Sequence, residues 1–257
     1  MIDLERILQT TFVASAEYHD RLASTNDLAA AIAAERGPRM PLLIVAGQQT
    51  AGRGRGANRW WTGPGSLAFS LLLDREMSAA RAPQGPAMLA LAAGVAVAEA
   101  LTPLVPGETV GIHWPNDVVA GGRKLAGVLV EVLGDGRSIV GIGVNSNNTV
   151  ADAPAELQAR VGTLRDLSGR THDQTEVLSA ILRQLEGRLA TLGSAREELA
   201  ARADALCLQR GRRLCVECPG EAVAGRCLGI AADGALLVET AAGPRAIYSG
   251  TIRLCEE

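Results

Sequence analysis

The hydrophobic pattern along most of the chain predicts short buried strands and two long helices. Residues 42–47 and Leu67–Leu73 are continuous apolar runs rich in branched side chains, which is typical of buried strands. Residues 86–101 are alanine-rich with apolar positions nearly all round, so we expect a well-buried helix. In residues 175–192 leucine and isoleucine recur at intervals of three and four, which predicts an amphipathic helix that covers the sheet.

Turn residues divide the middle of the chain into antiparallel strands. Residues 110–114 are predicted to form a strand that ends at Pro115, because a residue before proline is pushed towards extended conformations. Turns at 120–123 and at Asp135-Gly136 follow. They separate three predicted strands in a row, at 118–119, 124–133 and Ser138–Val144.

Hydroxyl and amide side chains mark the start of a helix near the N-terminus. Ser24, Thr25 and Asn26 open an alanine-rich run through Glu35, where a helix needs its free N–H groups capped. The preceding residues, 1–23, mix polar and apolar positions and are expected to supply at most one strand or short helix. That is too little for a DNA-binding domain, so none is expected.

The pattern changes from about Cys207 onward, where strands of four to eight residues are separated by glycine turns. We therefore expect a small all-β unit at residues 206–257 after a larger unit at residues 1–205. All five cysteines lie in the small unit. Cys215 and Cys218 form a CxxC that two others could complete into a zinc site, but no second CxxC or nearby histidine accompanies it. Buried free thiols are the favoured interpretation.

Composition and charge exclude several classes of protein. The chain has 257 residues, of which 47% are hydrophobic and 21% charged, as in a globular protein with a buried core. A net charge of −3 gives no global basic field for nucleic acid, so any anion binding must be local. The apolar run near the start is broken by Glu17, Tyr18 and His19, which fits neither a signal peptide nor a membrane span. We expect a cytoplasmic protein that binds neither nucleic acid nor membranes.

A glycine–arginine segment lies between the two buried strands. GRGRG at residues 52–56 alternates flexible backbone with permanently charged guanidinium groups, shortly before Trp60 and Trp61. Glycine lets the backbone approach a ligand closely, and arginine presents a planar fork of donors to a carboxylate or phosphate. A solvated loop or an RNA-binding segment would have the same composition, and the pattern alone leaves these interpretations open.

Three further motifs contain candidate functional residues at the end, at the start or within a predicted strand. WPND at residues 114–117 ends a strand, so Asp117 is a candidate to hold Mg²⁺ or to orient an amine, unless it only caps its own turn. In KLAG, Lys124 places a cation at the start of an apolar strand, although a snorkelling lysine is the commoner case. In GIGVN, Gly141 and Gly143 remove side chains from one strand face, which suggests a ligand or another backbone against it.

Taken in order, the segments STN, QTAGRGR, WPND, KLAG and GIGVN resemble the biotin-protein ligases, from about Ser24 to the end of the chain. The resemblance implies an α+β fold with a mixed, largely antiparallel sheet and helices, of the class II aminoacyl-tRNA synthetase-like kind. We expect the helices on one side of that sheet. The resemblance also implies that residues 1–205 are the catalytic ligase domain and that residues 206–257 are a small SH3-like β-barrel.

The resemblance assigns individual residues to the substrates. Those implied to bind biotin, from its ureido head along its apolar tail to its carboxylate, are Ser24, Thr25, Asn26, Gln49, Arg53, Gly54, Arg55, Lys124, Gly141 and Gly143. Those implied to bind ATP are Arg53, Trp60, Asn116, Asp117, Lys124 and Asn145. The implied catalytic set is Lys124, Asp117 and Arg55, in which Lys124 bridges the carboxylate and the α-phosphate and Asp117 serves the acceptor amine.

The implied reaction is the ATP-dependent biotinylation of a lysine on a biotin carboxyl carrier protein, through biotinyl-5'-AMP. ATP and Mg²⁺ are the implied cofactors and biotin the substrate, with Mg²⁺ entering with ATP. The partner would be the carrier domain of a biotin-dependent carboxylase, and a homodimer is compatible with the sequence. Only 23 residues precede Ser24, so we expect a monofunctional enzyme without a repressor role. A lipoate-protein ligase or octanoyltransferase is the alternative, and the GRGR segment argues against it.

Some positions depart from the common family pattern. Beyond Arg55 the chain reads Gly-Ala-Asn, so the motif does not determine how the rest of the loop is placed. His113 stands before WPND where a lysine is frequent, and we expect a satisfied strand histidine there. The aromatic that would stack on adenine is left open among Trp60, Trp61 and others.

Overall fold

The computed structural model describes residues 2–35, 37–78 and 84–254. In chain order its helices and strands are α1 (Leu4–Thr10), β1 (Ser15–Leu22), α2 (Thr25–Glu35), β2 (Leu42–Gln49), β3 (Leu67–Leu73), α3 (Arg75–Ser78), α4 (Gly85–Leu101), β4 (Val110–His113), β5 (Asp117–Ala120), β6 (Arg123–Val132), β7 (Ser138–Val144), α5 (Ala155–Gln158), α6 (Leu164–Ser168), α7 (Gln174–Ser194), α8 (Arg196–Ala205), β8 (Arg213–Cys218), β9 (Glu221–Ile230), β10 (Leu236–Thr240), β11 (Gly243–Ile247) and β12 (Thr251–Leu254).

The larger sheet is mixed and largely antiparallel, as predicted. Its seven strands lie in the order β1-β2-β3-β7-β6-β5-β4. Only the β1–β2 pair is parallel in the described part of this sheet, and the other neighbours run antiparallel. The hairpins predicted at residues 120–123 and at Asp135-Gly136 bring β5, β6 and β7 side by side. The centre of the sheet is therefore built from β3, β7 and β6.

Helices cover both faces of this sheet, so the expectation of helices on one side is wrong. Along β2, Leu43 and Val45 belong to the main hydrophobic cluster, which includes residues of α4 and α7. The alternate residues Leu42 and Ile44 belong to a second cluster with residues of α2 on the opposite face. The physical reason lies in the strand, because a continuous apolar run puts apolar side chains on both faces and each face needs cover.

Helix α4 lies at the centre of the main hydrophobic cluster. Most of its residues are buried, and it contacts α7, α8 and β6. The stretch Gly85–Leu104 is long and apolar enough to cross a bilayer, yet 67% of its most apolar window is buried inside the protein. Burial on all sides explains why the helix has no polar face.

The N-terminal segment is more ordered than the sequence predicted. Residues 1–23 were expected to supply at most one element, but they form both α1 and β1, so that prediction is wrong. Asp3 caps α1 by accepting a hydrogen bond from the Arg6 N–H at 2.9 Å. Strand β1 is the edge of the sheet and only half-buried, so its polar composition concealed it.

The C-terminal residues form a five-stranded antiparallel sheet, as expected for a small all-β unit. Its strands lie in the order β11-β10-β9-β8-β12. The main hydrophobic cluster runs from the large sheet and α4 into this unit, and Leu214, Val216 and Leu236 belong to it. The SH3-like closure of the unit and a domain boundary at residue 205 stay predictions.

The cysteines of this unit are free thiols wherever they are described. Cys207 and Cys227 are buried, while Cys215 and Cys218 are half-buried. Burial therefore holds for two of these four, and Cys255 lies outside the described residues. In residues 2–35, 37–78 and 84–254 no group of three or more His, Cys, Asp or Glu side chains could hold a metal ion.

Candidate functional site

A cavity of about 210 Å³ opens on the face of the sheet next to α2, between the two units. Most of the residues predicted to bind biotin or ATP line it, together with several that were not predicted. The predicted lining residues are Ser24, Thr25, Asn26, Gln49, Arg53, Gly54, Arg55, Trp60, Asn116, Asp117, Lys124, Gly141 and Gly143. The cavity brings motifs from distant parts of the chain into one place.

Uncharged hydroxyl and amide groups form one end of the cavity, at the N-terminus of α2. Ser24, Thr25 and Asn26 are each less than 5% exposed. Gln49, at the end of β2, accepts a hydrogen bond from the Thr25 backbone N–H at 2.8 Å and lies 3.1 Å from the Thr25 hydroxyl. These contacts tie the start of the helix to the adjacent strand and leave a set of neutral donors and acceptors facing the cavity.

Asn26 is held between a hydroxyl and a carboxylate. Its Oδ1 lies 2.6 Å from the hydroxyl of the fully buried Ser70 on β3. Its Nδ2 donates to Glu131 Oε2 at 2.6 Å. An ionised carboxylate only accepts hydrogen bonds, so Glu131 determines which way the Asn26 amide points. One N–H of Asn26 remains for a further acceptor.

The two glycines of β7 make room for side chains that wall the cavity. A Cβ at Gly141 would lie 2.1 Å from Asn26 Oδ1, and a Cβ at Gly143 would lie 2.2 Å from the Trp60 ring. Alanine at either position would therefore force a neighbour to move. The sequence predicted a ligand or a backbone against this face, and the structure places the Asn26 amide and the Trp60 indole there.

The segment of residues 50–61, called here the arginine loop, folds back on itself over the cavity. Gly54 donates its N–H to Asn58 at 2.8 Å, and Trp60 donates its N–H to Gly52 at 2.9 Å. The register beyond Arg55, which the motif left undetermined, is thus set by a short hairpin. The Trp60 Nε1 atom is buried without a hydrogen-bond partner in the described structure.

Arg53, Arg55 and Lys124 face the same cavity, and each has a partner on the protein. Arg53 makes two hydrogen bonds to Glu131, at 2.9 and 2.6 Å, and an ion pair with Asp27 at 2.8 Å. The remaining two cations have partners elsewhere: Arg55 donates to the Gly250 carbonyl, and Lys124 Nζ lies 2.7 Å from Asp117 Oδ1.

Lys124 has a second neighbour in the arginine loop. Its ammonium lies 5.6 Å from the centre of the Trp60 ring, which is within the range of a cation–π contact. The side chain is about one third exposed, so its charge is accessible from the cavity. A lysine that only snorkels at a strand edge would not face a cavity in this way.

The WPND corner is anchored from the C-terminal unit. Trp114 is buried; its Nε1 donates to the Gly234 carbonyl at 3.0 Å and its backbone N–H donates to Gln209 Oε1 at 2.8 Å. Asn116 donates to the Val128 carbonyl at 2.8 Å, so its amide supports the corner while it lines the cavity. The polar groups of this corner are thus held by both sheets.

His113 lines the cavity and faces Asp117 across the β4–β5 pair. No hydrogen bond to its ring is found within the described structure, so the expectation of a hydrogen-bonded strand histidine is not met. Burial lowers the pKa of His113 below its ordinary value, Lys124 and Arg212 lower it further, and Asp117 opposes them. The neutral form of the imidazole is therefore favoured.

Asn145 is the predicted ATP-binding residue that does not line the cavity. Its buried amide donates to the Lys124 carbonyl at 3.1 Å and accepts from Asn148 at 3.1 Å. Asn145 therefore holds the backbone of Lys124 and does not face the cavity.

Asp117 was also a candidate to hold Mg²⁺, but its buried Oδ1 faces the Lys124 ammonium, and no cluster of further ligands exists among the described residues. Within residues 2–35, 37–78 and 84–254, side chains alone do not form a magnesium site.

Several residues of the site were missed in the sequence. Ser70 is a hydroxyl in the apolar run of β3, and Glu131 is a carboxylate in the apolar run of β6. A polar residue inside a buried strand was the available signal for both. Asp27 and the C-terminal segment Gly250, Thr251 and Ile252 carried no such signal, because only the tertiary fold brings them near the arginine loop.

Two family matches cover both sheets. Residues 18–147 match the Biotin/lipoate A/B protein ligase family, and residues 211–254 match the Biotin protein ligase C terminal domain. The chain belongs to the biotin/lipoate A/B protein ligase family. The C-terminal match distinguishes the biotin protein ligases within it, so the resemblance drawn from the five motifs is confirmed.

Among similar curated proteins are a biotin ligase and a bifunctional ligase/repressor, both bacterial. The Biotin--[acetyl-CoA-carboxylase] ligase of Mycobacterium tuberculosis (strain ATCC 25618 / H37Rv) is 37% identical over 183 residues, which is 70% of this chain and 65% of that protein. The match thus spans slightly less than two thirds of the mycobacterial ligase. The Bifunctional ligase/repressor BirA of Bacillus subtilis (strain 168) is 34% identical over 245 residues, which is 92% of this chain and 73% of that protein.

A solved structure has the same fold. The Biotin protein ligase from Aquifex aeolicus in complex with biotin and ATP has a TM-score of 0.82 and 28% identity, covering 94% of this chain and 100% of that chain. The predicted α+β fold is therefore confirmed. The matched family is one of biotin and lipoate ligases, and the mycobacterial and Aquifex relatives are biotin ligases by name.

Proposed function

We propose that this protein joins biotin to a lysine of a biotin carboxyl carrier protein, using ATP and passing through biotinyl-5'-AMP. One observation carries the proposal: neutral hydrogen-bonding groups and cations line a single cavity. Asn26, in the neutral group with Thr25, lies against Gly141, while Lys124, in the charged group with Arg55, contacts the Trp60 ring that lies against Gly143. A ligand with a polar uncharged head and an acid tail fits this arrangement.

The neutral end suits the ureido group of biotin. A cyclic urea offers two N–H donors and one carbonyl acceptor, and the hydroxyls and amides of this end offer both roles. Ser24, Thr25, Asn26 and Gln49 would hydrogen-bond the head. Gly141 and Gly143 let Asn26 and Trp60 lie close to β7, and the apolar tail would lie against the Trp60 ring.

The charged end suits two anions that must meet. In the first step the biotin carboxylate attacks the α-phosphorus of ATP and pyrophosphate leaves. Two like charges 4 Å apart repel by about 4 kcal/mol at an effective dielectric constant of 20, so cations must offset that repulsion. Lys124 and Arg55 would do this and would stabilise the charge that grows on the phosphoryl oxygens.

In the second step the acceptor lysine attacks the mixed anhydride and AMP leaves. The amine must first lose a proton, and Asp117 is the carboxylate that lines the cavity near Lys124. Mg²⁺, when bound, would arrive with ATP and screen its phosphates. The cytoplasmic location, the homodimer and the lack of nucleic-acid binding stay predictions.

The test is to mix the protein with ATP, biotin and an isolated carrier domain and to measure the carrier by mass spectrometry. We expect a mass increase of one biotinyl group on one lysine, which requires ATP. Replacing biotin with lipoate is the matched control and should give no increase. Transfer of lipoate, or no transfer of biotin, would refute the proposed substrate.

A further inference from the structure

We propose that Glu131, assisted by Asp27, is a positioning residue that holds Arg53 and thereby couples the arginine loop to the Asn26 amide. The inference rests on the proposed function and concerns how the same site binds biotin. It assigns Arg53 to the protein side of the site, whereas the resemblance placed it on the biotin carboxylate and the phosphate.

The contacts of Arg53 use three of the five N–H groups of its guanidinium. Nη1 and Nη2 bind the two oxygens of Glu131 at 2.9 and 2.6 Å, which is a bidentate pair. Nη2 also lies 2.8 Å from Asp27 Oδ1. Two carboxylates therefore surround one guanidinium, and the group as a whole carries a net negative charge. A group with that charge would repel a carboxylate or a phosphate.

Of the three cations predicted to bind the ligands, Arg55 and Lys124 remain for the anions, and Arg59 of the loop also lines the cavity. Arg55 has a backbone carbonyl, which is not an anion, as its partner, and Lys124 has a single carboxylate. Both can turn to a ligand without leaving two carboxylates unpaired. The different roles of Arg53 and Arg55 thus follow from the charge around each.

Glu131 also contacts the residue predicted to read the biotin head. Its Oε2 accepts from Asn26 Nδ2 at 2.6 Å and from Arg53 Nη2 at 2.6 Å, so one oxygen serves both the loop and the helix. Because Ser70 occupies Asn26 Oδ1, the amide of Asn26 has a single orientation in which one N–H is free. Loss of Glu131 would release the loop and the amide together.

The experiment compares Glu131→Gln, Arg53→Met and the double variant in the full-length protein. The readouts are the KM values for biotin and ATP in biotinyl-AMP formation, the Kd for biotin alone and the melting temperature. We expect each single variant to raise the biotin KM and Kd by about tenfold or more, as loss of charge-assisted hydrogen bonds does, with the ATP KM unchanged. The double variant should have a biotin KM no higher than that of the more impaired single variant, because the two residues act as one unit.

Glu221→Gln is the matched control. Glu221 forms an equivalent bidentate pair with Arg245 in the C-terminal unit, at 2.8 and 2.9 Å, and neither residue lines the cavity. This variant should leave both KM values unchanged. If Glu131→Gln does not fold, Asp27→Asn replaces it, since that side chain is half exposed and binds the same Nη2. Asp27→Asn should also raise the biotin KM.

Two results would overturn the inference. If Arg53→Met weakens biotin or ATP binding while Glu131→Gln leaves it unchanged or tighter, Arg53 acts on the ligand directly. If Glu131→Gln raises both KM values equally and lowers the melting temperature, the contact is only structural. Failure of the proposed function is a separate outcome, because the unaltered protein would then form no biotinyl-AMP at all.

Discussion

At the residue scale, the site is made of charges that already have partners. Arg53, Arg55 and Lys124 all face the cavity, yet each contacts a carboxylate or carbonyl of the protein. Removing a charge from water without a partner is costly, so these contacts offset the cost for each cation until a ligand takes the place of its protein partner. Which cation can exchange its partner for a ligand then depends on how many carboxylates surround it.

Lys124 is the cation whose removal should affect the chemistry most. Lys124→Ala should lower the rate of biotinyl-AMP formation by about a hundredfold or more, because the Lys124 ammonium would stabilise the negative charge that develops on the phosphoryl oxygens. Pyrophosphate release measures this step. The exposed neighbour Arg123→Ala is the control and should retain the rate. Adenylation by Lys124→Ala at the unaltered rate would exclude this role.

Asp117 should affect both half-reactions. Asp117→Asn removes the charge that pairs with Lys124 at 2.7 Å and the base proposed for the acceptor amine. We expect slower adenylation and a further loss, of about a hundredfold, in transfer from isolated biotinyl-AMP to the carrier. Single-turnover assays separate the two steps. Unchanged rates in both would remove Asp117 from the mechanism.

His113 should make stability depend on pH. Burial lowers the pKa of His113 in the folded protein, so below about pH 6.5 the unfolded chain binds more protons and stability falls as the pH drops. His113→Asn removes this contribution to the pH dependence of stability. Melting temperatures at about pH 7.5 and about pH 5.5 should therefore differ less in the variant than in the unaltered protein. An equal drop in both would contradict the assignment.

At the element scale, strand β7 shapes the cavity by what it lacks. Gly141 and Gly143 contribute no side chain to the strand face that lines the cavity, and Asn26 and Trp60 occupy the space. Gly143→Ala should displace Trp60, destabilise the fold by about 1–3 kcal/mol through overpacking and weaken biotin binding. Gly134→Ala is the matched control, since open space surrounds it. Biotin calorimetry and melting curves measure both effects, and normal biotin affinity in Gly143→Ala would contradict the proposed slot.

At the scale of the whole molecule, the two sheets are joined by one hydrophobic cluster and by the Trp114 corner. Residues of the two units share that cluster, so we expect a single calorimetric unfolding transition. Trp114→Phe removes the hydrogen bond to the Gly234 carbonyl and should cost about 1–3 kcal/mol, which lowers the melting temperature by several degrees in one transition. Two resolved transitions in the unaltered protein would show that the units unfold independently.

The accuracy of the sequence-based predictions followed the range of the interactions. The strands β2, β3 and β7 and the helices α4 and α7 follow from local hydrophobic patterns, and so were found. Strand β1 was missed because an edge strand needs no apolar face on its exposed side. The one-sided helix layer was wrong because apolar runs do not state which face each helix covers.

The amino-acid order alone was sufficient for the element pattern, the family and the residue types that gather at the cavity, because short motifs and periodicities are local properties. It could not determine which charges pair, since that depends on contacts between residues far apart in the chain. Arg53 and Glu131 are 78 positions apart, and Asn26 and Glu131 are 105 apart. The folded sheet brings them within hydrogen-bond distance, and our proposal that Arg53 holds the loop while Arg55 is left for a ligand rests on this pairing.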